Sequence, residues 1–337
     1  MTQLINRSIV LKSHPEGPLR TDNFELIESE VPALMDGQFL VENQWLSMDP
    51  YVRPRLNPKT PMVNPIPLGA VIQGDCVGIV KESKNPDFQQ GDWVSGLSGW
   101  QQYDVCDQNS MMGKIPETSL SKSIFLGAVG SPGQAAWLGL SKIGKPKAGE
   151  TVVVSAAGGA VGSVAGQIAK MKGCYVVGIA GGEEKCQYVV DEFGFDCCVD
   201  YKSEDFKKQL RKACPKGVDV YFENVGGKIS MLVAQLLNDG ARVPVCGTVS
   251  QYDKGKSVDS QKVEKFFASL PNSPVAQFFI VTQWVNEMAK VNASLIEAIE
   301  EGHIKIKETI HQGLENTPQA FIDMLNGRHI GKQLVRL

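Results

Sequence analysis

Residues 151–154 are an apolar, largely β-branched run that ends in the small-residue stretch 155–162. Beyond it, 163–172 regains apolar positions at helical spacing, so the pattern predicts a strand, a tight turn and a helix in that order. A second apolar run at 174–180 completes a βαβ unit, which implies a parallel pair of strands. Further runs at 195–200, 218–222, 241–247 and 276–281 are separated by helical stretches, the alternation that builds a parallel sheet. Residues 284–301 predict a helix, with Met288, Val291, Leu295, Ile296 and Ile299 on one face and Gly302 as its stop. A strand at 304–310, a helix opening at 316–321 with Asn316 as its cap ahead of Pro318, and a strand at 331–337 finish the chain.

The first third is patterned differently. Short β-type runs at 38–46, 70–80 and 91–96 sit among prolines and glycines, which predicts a compact β domain. Residues 124–139 are rich in small residues and predict a helix at the start of the α/β half.

The glycine turn carries chemistry. Side chains this small let a pyrophosphate approach the backbone N–H groups at the positive end of the following helix. An acid about 20 residues past such a turn would hold the 2′-hydroxyl of NAD. Here that place falls at Gly181 and Gly182, with Lys185 one turn on, so NADPH is expected, a lysine facing its 2′-phosphate. Glu183 and Glu184 stay open as ribose acids should the strand end two residues later.

Composition narrows the classes. With 337 residues, 42% of them hydrophobic, the chain can fill two domains. A net charge of −3 without blocks of like charge argues against nucleic acid and anionic membrane as partners. No run has the length of a membrane span and the N-terminus has no signal-peptide core, so a cytoplasmic protein is expected. The eight cysteines have no paired spacing and the four histidines (14, 303, 311, 329) lie near the ends, so no metal site is expected. Cys197 and Cys198 read as part of a short buried strand.

Several longer stretches resemble one family. Met48-Asp49-Pro50-Tyr51-Val52-Arg53, the turn from Ala156 to Gly162, Gly166-Gln167-Ile168-Ala169-Lys170, Glu223-Asn224-Val225-Gly226-Gly227 and the run from Gly313 to Phe321 are similar to the zinc-independent medium-chain dehydrogenase/reductases. Within these, the chain resembles the branch of prostaglandin reductases, 2-alkenal (double-bond) reductases and bacterial NADPH-dependent curcumin reductases. The curcumin reductases are met above all through residues 177–186 and 212–217. The resemblance implies an α/β protein with a GroES-like β-rich catalytic domain at 1–122 and 305–337 and a Rossmann doubly wound parallel-sheet domain at 123–304. It also implies a homodimer. It places Gly159, Ala160, Val161 and Gly162 on the pyrophosphate, Lys185 and Tyr201 on the 2′-phosphate, and Asn224 along the cofactor. Cys246, Gly247, Thr248, Tyr252, Phe279, Ile280 and Val281 would flank the nicotinamide end. The chain departs from the branch at 131–137, at His329, where an asparagine is usual beside the cofactor, and in a shorter segment at 253–274.

The chemistry so implied is hydride transfer from NADPH to the β-carbon of a small-molecule enone or alkenal, then protonation at the α-carbon. The carbonyl oxygen gains enolate charge and needs a hydrogen-bond donor. Tyr252, just past a predicted strand end, is the expected donor, with the cofactor's ribose hydroxyl sharing the role. Tyr51 is a second candidate for the substrate, and His329 for a proton. A quinone reductase of the same superfamily, and a cofactor-binding protein without catalysis, are the competing readings.

Overall fold

The computed structural model describes residues 4–60, 63–254 and 259–337. The chain divides into two compact units, one reaching to Leu126 and resumed at Glu308–Leu337, the other running from Gly127 to Tyr252 and on to Lys307.

The first unit begins with the hairpin-like pair β1 (Ile5–Leu11) and β2 (Phe24–Glu30), then β3 (Phe39–Ser47), the single turn α1 (Val52–Arg55), β4 (Asp75–Ser83), β5 (Trp93–Leu97), β6 (Tyr103–Cys106) and β7 (Met112–Lys114). Of the expected strand at 70–80, only the part from Asp75 joins the ladder. Residues 70–72 instead exchange backbone hydrogen bonds with β1, through Leu11 to Ala70 and Ile72 to Ile9.

The second unit opens with α2 (Ser131–Leu138). The helix expected over 124–139 is broken: Lys122–Leu126 forms a tight 3-10 turn, and the helix proper starts after Gly130, with Pro132 in its first turn, where a missing N–H costs nothing. There follow β8 (Thr151–Ser155), α3 (Ala160–Met171), β9 (Tyr175–Ala180), α4 (Glu183–Asp191), β10 (Cys197–Asp200), α5 (Phe206–Ala213), β11 (Val218–Phe222), α6 (Gly227–Ala234), β12 (Leu237–Val245), α7 (Ser260–Ala268), β13 (Val275–Phe278) and α8 (Met288–Glu300). All six strands pair in parallel in the order β10-β9-β8-β11-β12-β13. This is the doubly wound order, whose direction reverses between β8 and β11. Central β8 is buried at every position, whereas the edge strand β10 is not, so Cys197 and Cys198 are half-buried rather than core residues.

One helix boundary and one strand boundary depart from the pattern. The stretch expected as one helix from 284 is a 3-10 turn, Val281–Glu287, in which Trp284 leaves helical geometry (φ −124°, ψ 37°) as its ring packs 6.0 Å from that of Phe279. Residues 304–307 do not enter a strand, because Gln167 on α3 holds the backbone of Lys305 through both its N–H (2.7 Å) and its C=O (3.1 Å).

The chain then returns to the first unit with β14 (Glu308–Gln312), α9 (Thr317–Leu325) and β15 (Lys332–Arg336). Asn316 stands at the N-cap of α9 as expected, but its side chain makes no capping bond; its amide donates to the Gln312 carbonyl. The seven-stranded sheet runs β14-β15-β3-β4-β5-β7, with β6 also on β3, antiparallel except for β14 with β15. Trp100 centres its core, its ring 5.6 Å from Phe24 and 5.3 Å from Phe321, so the returning tail completes the packing.

Candidate cofactor site and active-site residues

At the end of β8 the chain turns through Ala156, whose φ of 51° is left-handed, and Ala157 donates to the Ile179 carbonyl of β9. Helix α3 starts at Ala160 with Gly159 as its cap, three residues earlier than its apolar pattern suggests. A Cβ at Gly162 would lie 2.2 Å from the Ala156 carbonyl oxygen, so only glycine fits there. Gly159, Ala160, Val161 and Gly162 thus form a cap and first helical turn, where the N–H groups of 160–162 have no acceptor inside the helix. Together with the positive end of the helix, this is a cradle for phosphate.

Beside it, the structure gathers Lys185 and Tyr201. The aliphatic stem of Lys185 lies so close to Gly158 that an added Cβ would sit 2.8 Å from its Cγ and Cδ. The Tyr201 ring covers Gly181 in the same way, at 2.8 Å, with Lys202 Cε at 3.0 Å from the same point. Burial, and then the charge of Lys202, hold the Lys185 ammonium below the ordinary lysine pKa. Lys202 went unnoticed in the sequence; its signal is its place directly after Tyr201, past the end of β10. The carboxylate at that end, Asp200, accepts from the backbone of Gly182 (2.8 Å) and Lys202 (2.9 Å) and braces the turn. Strand β9 ends at Ala180, and Glu183 and Glu184 are exposed in the first turn of α4.

Where the strand order reverses, a buried network ties β8 to β11. Ser155 Oγ donates toward Glu223 (3.2 Å) and accepts from the backbone N–H of Asn224 (2.9 Å), and the Asn224 amide donates to the Ser155 carbonyl (2.7 Å). Glu223, fully buried, also accepts from the N–H groups of Val225 (2.7 Å) and Gly226 (2.9 Å) and from the Ser230 hydroxyl. Glu223 fixes the loop that carries Asn224; only its place in the Glu223–Gly227 run signalled it.

At the end of β12, Cys246 and Gly247 donate their N–H groups to the Glu223 carbonyl. The Tyr252 hydroxyl lies 3.4 Å from where a Gly247 Cβ would stand. Burial first, and then Cys246, push the Tyr252 pKa up to about 12 against a lowering contact from the Thr248 backbone. The phenol therefore keeps its proton at neutral pH. Burial and the neighbouring Glu223 push the Cys246 thiol to about 12 as well. Phe279 packs inward against Phe222 and Trp284, whereas Ile280 is 52% exposed and Val281 partly so.

Tyr51 and His329 belong to the other unit. Tyr51 is 39% exposed, and its hydroxyl donates to Asp75 Oδ2 at 3.3 Å. Burial, then Asp75 and Asp49, raise its pKa. Asp75 is itself raised to about 6 by burial and by Asp49, against the pull of Lys332. Lys332 is buried, with Nζ 2.6 Å from Asp49 and 3.0 Å from the Met48 carbonyl, and the Ser47 hydroxyl also donates to Asp49. Asp49, Asp75 and Lys332 stand far apart in sequence, and no local pattern announces their cluster. His329 is half-buried in the turn between α9 and β15.

Two family models match the chain: an N-terminal domain of oxidoreductase over residues 7–114 and a zinc-binding dehydrogenase over residues 160–288. The NADPH-dependent curcumin reductase of Escherichia coli (strain K12) is 42% identical, over 98% of this chain and 97% of its own. The chain is a medium-chain dehydrogenase/reductase. The 2-alkenal reductase (NADP(+)-dependent) of Nicotiana tabacum is 37% identical, over 99% of this dehydrogenase/reductase and 98% of its own length. The crystal structure of CurA in complex with NADPH from Vibrio vulnificus superposes with a TM-score of 0.91 at 41% identity, covering 98% of both chains. The β-rich and doubly wound units are thus the GroES-like and Rossmann domains of the family. Among the described residues of this medium-chain dehydrogenase/reductase, no group of three or more His, Cys, Asp or Glu side chains could hold a metal ion. Of the 253–274 segment, where the chain departs from its branch, residues 255–258 lie outside the described residues, and 260–268 form α7.

Proposed function

We propose that the chain reduces the C=C bond of α,β-unsaturated ketones or aldehydes with NADPH. The chain is an NADPH-dependent reductase, and its relatives are named for curcumin, 2-alkenal and prostaglandin substrates. Its residues fit the cofactor. The cradle at Gly162, which a Cβ would fill, suits a pyrophosphate, and the mutual repulsion of Lys185 and Lys202 is relieved by a phosphate dianion between them.

NADPH, when bound, supplies the hydride for the substrate's β-carbon. Gly159, Ala160, Val161 and Gly162 hold its pyrophosphate, Lys185 and Tyr201 its 2′-phosphate, and Asn224, Cys246, Gly247, Thr248, Phe279, Ile280, Val281 and His329 its remaining length. Tyr252 donates its hydrogen bond to the carbonyl oxygen as enolate charge gathers there, an interaction strongest in the transition state. Tyr51, anchored on Asp75, orients the substrate. The enzyme works as a homodimer in the cytoplasm; among the described residues no helix is long and apolar enough to cross a membrane.

The observation that carries this reading is the Tyr252 hydroxyl over Gly247, at the same sheet edge as the glycine turn. Purified protein is assayed with NADPH or NADH against a diarylheptanoid enone, a small alkenal and a quinone. Faster NADPH consumption with the enone or alkenal is expected. Preference for the quinone would assign the chain to quinone reduction, and no turnover with any acceptor would leave only cofactor binding.

A further inference from the structure

Gly178, in the middle of β9, has no side chain, and its space is taken by three neighbours. An added Cβ would lie 2.9 Å from Ala157 Cβ, 3.0 Å from Cys198 Sγ and 3.1 Å from Val189 Cγ1. Cys198 pairs directly with Gly178 across the β9–β10 ladder, so its thiol rests on the face of the sheet that α4 covers. Cys186 stands three residues before Val189 on α4, on the same side of that helix. Each thiol shifts the titration of the other, that of Cys186 downward and that of Cys198 upward. Both line one open cavity of about 400 Å³ beside Asp200, through which a small oxidant reaches them. Cys197, next in sequence, points to the opposite face, where its sulfur meets the Tyr175 hydroxyl at 3.8 Å.

We propose that Cys186 and Cys198 are a hydroperoxide-oxidisable pair that closes a disulfide between α4 and β10. The Cys186 thiolate attacks the O–O bond of the hydroperoxide, becomes a sulfenic acid and releases water or the corresponding alcohol. Cys198 sulfur then attacks the sulfenic sulfur, and hydroxide leaves as water with the Cys198 proton. Two thiols lose two electrons, and the peroxide gains them. A low-pKa thiol paired with a proton-donating one has the attacking and resolving roles already divided.

The full-length protein, reduced and then exposed to hydrogen peroxide, is alkylated and weighed intact. Labelled thiols are expected to fall from eight to six, with dithiothreitol restoring them. Both residues lie in one tryptic peptide, 186–202, so cleavage after Glu192 is added to separate them. The two fragments are expected to remain linked in the wild type and in Cys197→Ser. In Cys198→Ser the link should vanish and dimedone should label Cys186. Eight labelled thiols after peroxide, a link through Cys197, or a Cys186 sulfinic acid without any link in the wild-type protein would each overturn the proposal. The wild-type and Cys197→Ser results decide it even where another variant folds poorly.

Discussion

The carboxyl edge of the parallel sheet has two ends with opposite electrostatics. At one, Lys185 and Lys202 crowd around Gly158 and Gly181, and burial, then the Lys202 charge, lower the Lys185 pKa. At the other, Tyr252 and Cys246 are held neutral, both pushed up to about 12, chiefly by burial. The first end suits an anion that is charged before it arrives. The second suits charge that appears only during reaction, since a neutral O–H costs little to bury and yet strengthens its bond to an oxygen as that oxygen turns anionic. On the proposed reading, one sheet edge separates the choice of cofactor from the stabilisation of the transition state.

That division is broken most severely by Tyr252→Phe. Turnover on an enone should fall ~100-fold, the usual loss for one such donor, while the KM for NADPH stays within about twofold. Unchanged turnover would move the role to the ribose hydroxyl or to Tyr51. Lys185→Ala should raise the KM for NADPH roughly 30-fold and leave that for NADH within about twofold, as expected for a lost charge-assisted contact. Equal use of both cofactors by the unaltered protein would contradict it. Lys202→Ala sharpens the same contrast with a smaller rise for NADPH, about threefold, because its ammonium is farther into solvent.

The smallest effect concerns stability and lies outside the sheet. Asp75 titrates at about 6 in the fold against an ordinary 3.8. Its protonated form is the one the fold favours, so that contribution is complete below about pH 4 and is lost as pH rises through 6. Asp75→Asn should therefore match the wild type in thermal unfolding near pH 4 and exceed it by a few degrees above pH 7, roughly. A gap that is constant with pH would mean that the Asp75 carboxyl is not displaced.

The parallel sheet and the glycine turn were legible because both follow from local pattern: β-branched runs, small residues and helical spacing leave few alternatives. The roles expected of Tyr252, Lys185 and Tyr201 rest on the resemblance and on their places after strand ends. What escaped was set by packing across the fold. Gln167 pulls residue 305 out of a strand that its alternation predicts, and Trp284 breaks a helix by packing on Phe279. Cys197 and Cys198 looked like core residues because their apolar run says nothing of β10 being an edge. Glu223 and Lys332 are buried and take hydrogen-bond partners that no local rule announces.

The central claim is tested most directly by following the label from NADPH deuterated at C4 into an enone product. Deuterium at the β-carbon of a saturated ketone is expected. Deuterium on the former carbonyl carbon, in an allylic alcohol, would contradict the account.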